Sequence, residues 1–156
     1  MKASSYKTNG KVEEPAQEVF KALTEEISLW WSTVYSGEAK KAGDQFRVEF
    51  NKTFMEFTIE EAASNKIVWL CTDIYNDIPQ AENKTEWIGT RVIWEIQPIT
   101  ESSAQITLTH DGLTPELECF EICEGGWNFY FGSLLSLLNK GKGMAFPNEM
   151  HLCVNA

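Results

Sequence analysis

Basic residues are scarce in this chain of 156 residues: 13 Lys and Arg stand against 23 Asp and Glu, a formal net charge of -10, and Arg47 and Arg91 are the only arginines. Such a surface repels phosphate backbones and anionic headgroups, and no basic stripe offsets it, which excludes nucleic acid and membrane surfaces as partners. No apolar run approaches the roughly 20 residues that span a bilayer. The opening MKASSYKTNGKVEE has no apolar stretch of the signal-peptide kind, so a cytoplasmic location is expected. The four cysteines, Cys71, Cys119, Cys123 and Cys153, form no C-x-x-C pair. Cys119 and Cys123 are four apart on an expected helix, where Cα atoms lie about 6 Å from each other and a disulfide rarely fits. A metal site there would need His110 or His151 to converge on the same pair, so the cysteines read as buried, reduced thiols, with no metal and no cofactor. G-x-S-x-G elbows, P-loops, H-E-x-x-H helices and dinucleotide fingerprints are all missing, and no spacing links the Ser, His and Asp residues into a catalytic set. Internal repeats and Pro/Gly-rich linkers are missing too, and the length suits one domain.

Aromatic residues are plentiful: 9 Phe, 6 Trp and 4 Tyr. They bury large areas and often line small-molecule sites, although an aromatic core alone would also account for them. A strand-like stretch, Ser4 to Val12, leads into EEPAQEVFKALTEE. There Pro15 suits the first helical turn, and Ala16, Val19, Phe20 and Leu23 fall on one helical face. A short helix, ISLWWS, follows. From Gln45 the period becomes two: Phe46, Val48 and Phe50, then Met55, Phe57 and Ile59, alternate with polar residues. KIVWLCTDIY is a further strand, and the aperiodic NDIPQAENKTE, residues 76–86, is either a mobile flap or an insertion without a role. Ile88, Val92, Trp94 and Ile96 share the face of the next strand, and Ile106, Leu108 and His110 that of the last. Thr114 as N-cap and Pro115 at the first position open a long helix that Gly141 stops. An antiparallel sheet needs a cover on one face, and only this helix is long enough. The expected class is α+β: a curved antiparallel sheet of about six strands gripping a long C-terminal helix, with two short helices between strands 1 and 2.

This order, with VEEPAQEVFKALT, the pair Trp30-Trp31, LTHDGL at residues 108–113 and GWNFYFGSLLSLLNKG at residues 126–141, resembles the START-like (helix-grip, SRPBCC) superfamily. Within it, the chain is most similar to the branch named for the activator of the heat-shock-protein-90 ATPase. The resemblance spans about residues 6 to 143, which sets residues 1–143 as one domain and 144–156 as a tail. It implies a cavity between the concave sheet face and the long helix, which in this superfamily holds apolar or amphipathic small molecules. Many bacterial members of the branch are single domains of unassigned role.

Several residues then become candidates. Trp69 and Cys71 share one strand face and Trp94 lies on the next strand, so on concave faces the indoles would wall a pocket, each N–H needing a ligand carbonyl or hydroxyl as partner. Trp127, Tyr130, Phe131, Leu134 and Leu138 form a stripe on the long helix, of which Cys123, Trp127 and Phe131 would line the pocket, as would Trp31 from the WW pair. Gly125 and Gly126 lower helix propensity and suggest a close approach by a strand or a ligand. His110 ends a strand at one end of the cavity, where a hydrogen-bonded structural role and a general-base role are both open. Arg91 could pair with Glu95 or meet an acidic ligand headgroup. Glu118, Glu121 and Glu124 read as a solvated face. Three functions follow: a non-catalytic carrier or sensor of a hydrophobic small molecule using Trp31, Trp69, Cys71, Trp94, His110, Cys123, Trp127 and Phe131; a co-chaperone-like module that regulates a chaperone ATPase; or a cyclase- or hydrolase-type enzyme using His110. The expected partner is a hydrophobic small molecule, with a chaperone or other protein as the alternative, and the expected state is a monomer or homodimer.

Overall fold

The computed structural model describes residues 4–148. In chain order the elements are β1 (Tyr6–Val12), α1 (Ala16–Thr24), α2 (Ile27–Trp30), β2 (Tyr35–Gly37), β3 (Gln45–Phe50), β4 (Thr53–Ala63), β5 (Lys66–Tyr75), β6 (Arg91–Thr100), β7 (Ser103–Asp111) and α3 (Phe120–Lys140). The strands form one antiparallel sheet in the order β1-β7-β6-β5-β4-β3-β2. The class is the expected α+β grip. The sheet has one strand more than expected, the three-residue edge strand β2, too short to leave a periodic signal. Asn51 turns the β3–β4 hairpin at φ 60°, a left-handed conformation that asparagine tolerates.

Alternation decides which residues face α3. Phe46, Val48 and Phe50 of β3, Phe57 and Ile59 of β4, Ile67, Trp69 and Cys71 of β5, Val92, Trp94 and Ile96 of β6, and Ile106, Leu108 and His110 of β7 are all buried on the concave side. From α3, Cys123, Trp127, Tyr130, Phe131, Leu134 and Leu138 meet them, while α1 and α2 close one end of the layer with Val19, Leu23, Ile27 and Trp30. Among the described residues no helix is long and apolar enough to cross a membrane.

The structure corrects four expectations. The helix α3 begins at Phe120 rather than Pro115. Thr114 to Cys119 instead form tight turns, and the Glu86 carboxylate from the β5–β6 loop accepts the backbone N–H groups of Glu118 at 2.9 Å and Cys119 at 3.0 Å. An acidic side chain from elsewhere in the chain thus satisfies the orphan donors and complements the helix dipole. Ile88 does not join its strand: Gly89 turns at φ 87° and leaves Ile88 exposed. Arg91 pairs not with Glu95 but with Glu60, two strands away, through bonds of 2.6 and 3.2 Å. That bidentate pair lies on the convex side, so Arg91 does not face the interior. Gly125 and Gly126 admit no close approach, since a Cβ at either would meet nothing within 4 Å. The tight crossing is at Gly10, where a Cβ would stand 2.9 Å from Leu135 Cδ1 and 3.2 Å from Phe131 Cε2 as α3 passes over β1.

The segment after α3 also packs. Ser32 bridges Phe146, the Thr33 N–H donates to the Phe146 carbonyl at 3.0 Å, and the Phe146 N–H donates to the Trp31 carbonyl at 2.9 Å. The Phe146 ring is buried edge-on against Phe50. His151 and Cys153 lie outside the described residues.

Candidate functional site

The candidate residues converge. Each strand supplies them from alternate positions, and α3 supplies Cys123, Trp127 and Phe131 at spacings of four, so one face of the helix lies along them. The centre is a run of near-parallel indoles. Trp31 stacks on Trp69 (5.7 Å between centroids, 15°) and on Trp127 (5.1 Å, 25°), and Trp127 stacks on Trp87 (6.1 Å, 5°). Trp94 meets Trp69 edge-on at 5.4 Å and Trp127 at 6.0 Å, and stacks on Phe131 at 6.5 Å. Trp30, Phe46, Phe50 and Phe57 complete the aromatic surroundings. All the rings of the run are buried.

The polar atoms of this interior fall into two groups. In the first, every valence is used. The Trp127 indole N–H donates to His110 Nδ1 at 3.0 Å, so that nitrogen is the acceptor and the proton resides on Nε2. His110 Nε2 in turn faces Thr90 Oγ1 at 2.8 Å, and the Thr90 hydroxyl donates to the Trp87 carbonyl at 2.6 Å. Fully buried, with the Trp87 ring edge-on at 4.4 Å, the imidazole has its pKa lowered to about 3 by loss of solvent. His110 is therefore a neutral imidazole with both nitrogens engaged. No lone pair is free to take a proton from a substrate, as a general base requires.

The second group is unfilled. The N–H groups of Trp69, Trp87 and Trp94 are buried and have no hydrogen-bond partner. That of Trp87 lies near enough to the Cys123 sulfur to oppose the rise in that thiol's pKa, without hydrogen-bond geometry. Each unmade bond of this kind costs about 1–3 kcal/mol, so three around one aromatic cluster are a strong demand for acceptors.

The cysteines are quiet. The Cys71 thiol faces the Asp73 carbonyl at 3.6 Å, and burial pushes its pKa up to about 12. The Cys123 thiol is also pushed up, by its hydrogen bond with Cys119 and then by burial, and Asn76 donates to its sulfur at 3.6 Å. Thiols held protonated in this way are poor nucleophiles. Among the described residues no cluster of three His, Cys, Asp or Glu could hold a metal ion.

Sequence reasoning missed Trp87, Thr90 and Glu86. All three belong to the aperiodic connection between β5 and β6 or its exit, where no period indicates a buried side. The loop is folded: Ile78, Ala81 and Trp87 are buried, the Asn76 N–H donates to the Lys84 carbonyl at 2.8 Å, and Lys84 Nζ donates to the carbonyls of Ile78 and Ala81.

No curated protein sequence matches this chain. Among solved structures, the Aha1 dimer from Colwellia psychrerythraea is similar at 20% identity and a TM-score of 0.69, with 88% of this chain and 99% of that chain covered. A protein of the dynemicin biosynthetic locus, DynU16, is similar at 16% identity and a TM-score of 0.66, over 91% of this chain and 49% of that one. An HSP90 activator from Plasmodium falciparum is similar at 21% identity and a TM-score of 0.57, over 80% and 87%. At these identities the likeness is one of fold. The family model of activator of Hsp90 ATPase homolog 1-like proteins matches residues 13–139, nearly the whole grip from the start of α1 to the end of α3. With that match joined to the seven-stranded sheet closed over α3, the chain belongs to the family of activator of Hsp90 ATPase homolog 1-like proteins, in the START-like superfamily.

Proposed function

We propose that the protein binds a hydrophobic or amphipathic small molecule among the aromatic rings between the concave sheet face and α3, as a non-catalytic carrier or sensor. The observation that carries this reading is the set of buried, unpartnered indole N–H groups of Trp69, Trp87 and Trp94 around one apolar cluster. A core that served packing alone would use phenylalanine at such positions and avoid the cost of the buried donor. Trp31, Trp69, Cys71, Trp94, Cys123, Trp127 and Phe131 are the contact surface, and His110 fixes the Trp127 ring through its Nδ1. With both imidazole nitrogens engaged, the geometry favours binding over acid-base catalysis. Native mass spectrometry of freshly purified protein, beside its denatured mass, tests this. A mass lost on denaturation is expected, and Trp127→Ala or Trp69→Ala should reduce its retention. Wild-type retention in both variants would refute the site.

A second reading, regulation of a chaperone ATPase, is favoured by the family match. Its test is the ATPase rate of a purified Hsp90-type chaperone with and without this protein. An unchanged rate at saturating protein would remove it.

A further inference from the structure

We infer that the groove between the β5–β6 loop and the start of α3 docks a basic, amphipathic segment of a partner protein. Apolar side chains of that segment rest on Leu117, Phe120 and Ile122, and its lysines or arginines lie among Glu118, Glu121 and Glu124. These residues are distinct from Cys123, Trp127 and Phe131, which meet the sheet, so a partner in the groove and a guest in the interior are independent of each other.

Shape comes from the apolar floor. Leu117, Phe120 and Ile122 pack against the core yet remain half-buried. With Pro115 and Gln80 they border a space of about 490 Å3, within the roughly 300–1,000 Å3 of specific binding sites. Both walls are tied in place. The Asn83 N–H donates to the Glu118 carboxylate at 2.8 Å, and the Glu86 carboxylate accepts the N–H groups of Glu118 and Cys119. A groove held by such bonds needs little ordering when a partner arrives, which favours affinity.

Charge selects the occupant. Residues 76–86 hold three carboxylates and residues 114–124 hold four, against one lysine. That lysine, Lys84, turns its ammonium to the carbonyls of Ile78 and Ala81. Among the described residues no Lys or Arg pairs with Glu118, Glu121 or Glu124. A rim of one sign speeds the encounter with a cationic segment and fixes its orientation, while the apolar floor supplies contact that survives salt. A polyamine would leave the floor wet, and an acidic partner would be repelled. A second copy of this chain, at a net charge of -10, is repelled as well. An interface of this extent belongs to the small, transient class.

The probe is the synthetic peptide KLKKLLKKLK, whose leucines fall on one helical face, beside KSKKSSKKSK, which keeps the charge and lacks the anchors. Each is titrated into the isotope-labelled protein at about 150 mM salt and followed by amide NMR. The leucine peptide is expected to shift the amides of Gln80 and of residues 116–124, and to bind about tenfold tighter than the serine peptide. Glu121→Lys with Glu124→Lys reverses charge at two side chains that hold no hydrogen bond or ion pair among the described residues, and should weaken binding at least tenfold. Glu101→Lys, in the β6–β7 turn, should change it less than twofold. Equal affinity of the two peptides, or equal weakening by Glu101→Lys, would overturn the groove and leave attraction by net charge alone. Shifts centred elsewhere, or none at about 1 mM peptide, would overturn it too. The two peptides on wild type decide the matter even if the doubly reversed variant fails to fold.

Discussion

Lowering the pH from about 7.5 to about 5 should destabilise the protein by about 2 kcal/mol through His110 alone. The folded imidazole resists protonation down to a pKa of about 3, against 6.5 for an exposed histidine, and its cause is burial. The folded state therefore binds fewer protons than the unfolded state between those values. Stability is complete above the unfolded value and is lost as pH falls toward the folded one. At about pH 5 the difference amounts to about 2 kcal/mol, and near pH 3 it would reach about 4 kcal/mol, a large part of the 5–15 kcal/mol typical of a domain. Protonation would also turn Nδ1 into a donor facing the Trp127 N–H, so the cost has a named structural origin. The assay is urea unfolding at both pH values for wild type and His110→Asn, in which an amide oxygen can still accept from Trp127 but no group titrates. Carboxylates and His151 are common to both proteins, so subtraction isolates His110. The wild-type midpoint should fall by about 1 M urea more than the variant's, given slopes near 2 kcal/mol/M. Equal falls in the two proteins would refute the reasoning.

Four further outcomes follow from the packing. Gly125→Ala should stabilise by about 0.5–1 kcal/mol because its Cβ meets nothing, whereas Gly10→Ala should destabilise by about 1–3 kcal/mol against Leu135 and Phe131; thermal unfolding of the pair decides. Glu86→Ala removes both acceptors at the start of α3 and should cost about 1–2 kcal/mol, with faster amide exchange confined to Glu118 and Cys119 and their neighbours. Phe146→Ala should cost about 3 kcal/mol by denaturant titration, which tests whether the segment after α3 belongs to the core. Iodoacetamide near pH 8 should leave Cys71 and Cys123 unmodified until the protein unfolds, read by peptide mass mapping, and rapid native labelling of either would contradict their burial.

The grip was legible because period is a physical consequence of the elements themselves. Phe46, Val48 and Phe50 alternate since a strand shows opposite faces in turn, and Trp127, Phe131, Leu134 and Leu138 recur since a helix does so every three or four residues. Those two rules put Trp69, Trp94 and Trp127 on apolar faces, and the resemblance supplied the grip that turns the faces toward one another. What they do not supply is register. Arg91 meets Glu60 across the whole width of β5, past the register shifts between Glu56 and Phe57 and between Ile59 and Glu61, so no local spacing announces the pair. Trp87 and Glu86 escaped because a loop has no period to mark its buried side. The fate of His110 depended on which group would meet each nitrogen, and the indole that meets Nδ1 is 17 residues away on another element.

Strand order carries a consequence for how the chain assembles. From β2 to β7 each strand pairs with its successor, so that part of the sheet can zip up locally. The first strand is different: Tyr6 pairs with His110 and Val12 with Ala104, so β1 has no partner until about a hundred residues later in the chain. During synthesis the leading strand must wait, its ladder groups unmade, until β7 has emerged and α3 can fold across Gly10. Pulsed hydrogen exchange during refolding should find the β1 amides protected after those of the β4–β5 hairpin. Of the strands in this sheet β1 comes first along the chain, yet it can be seated only once β7 is present, so the sheet's far edge is completed by a long-range pairing.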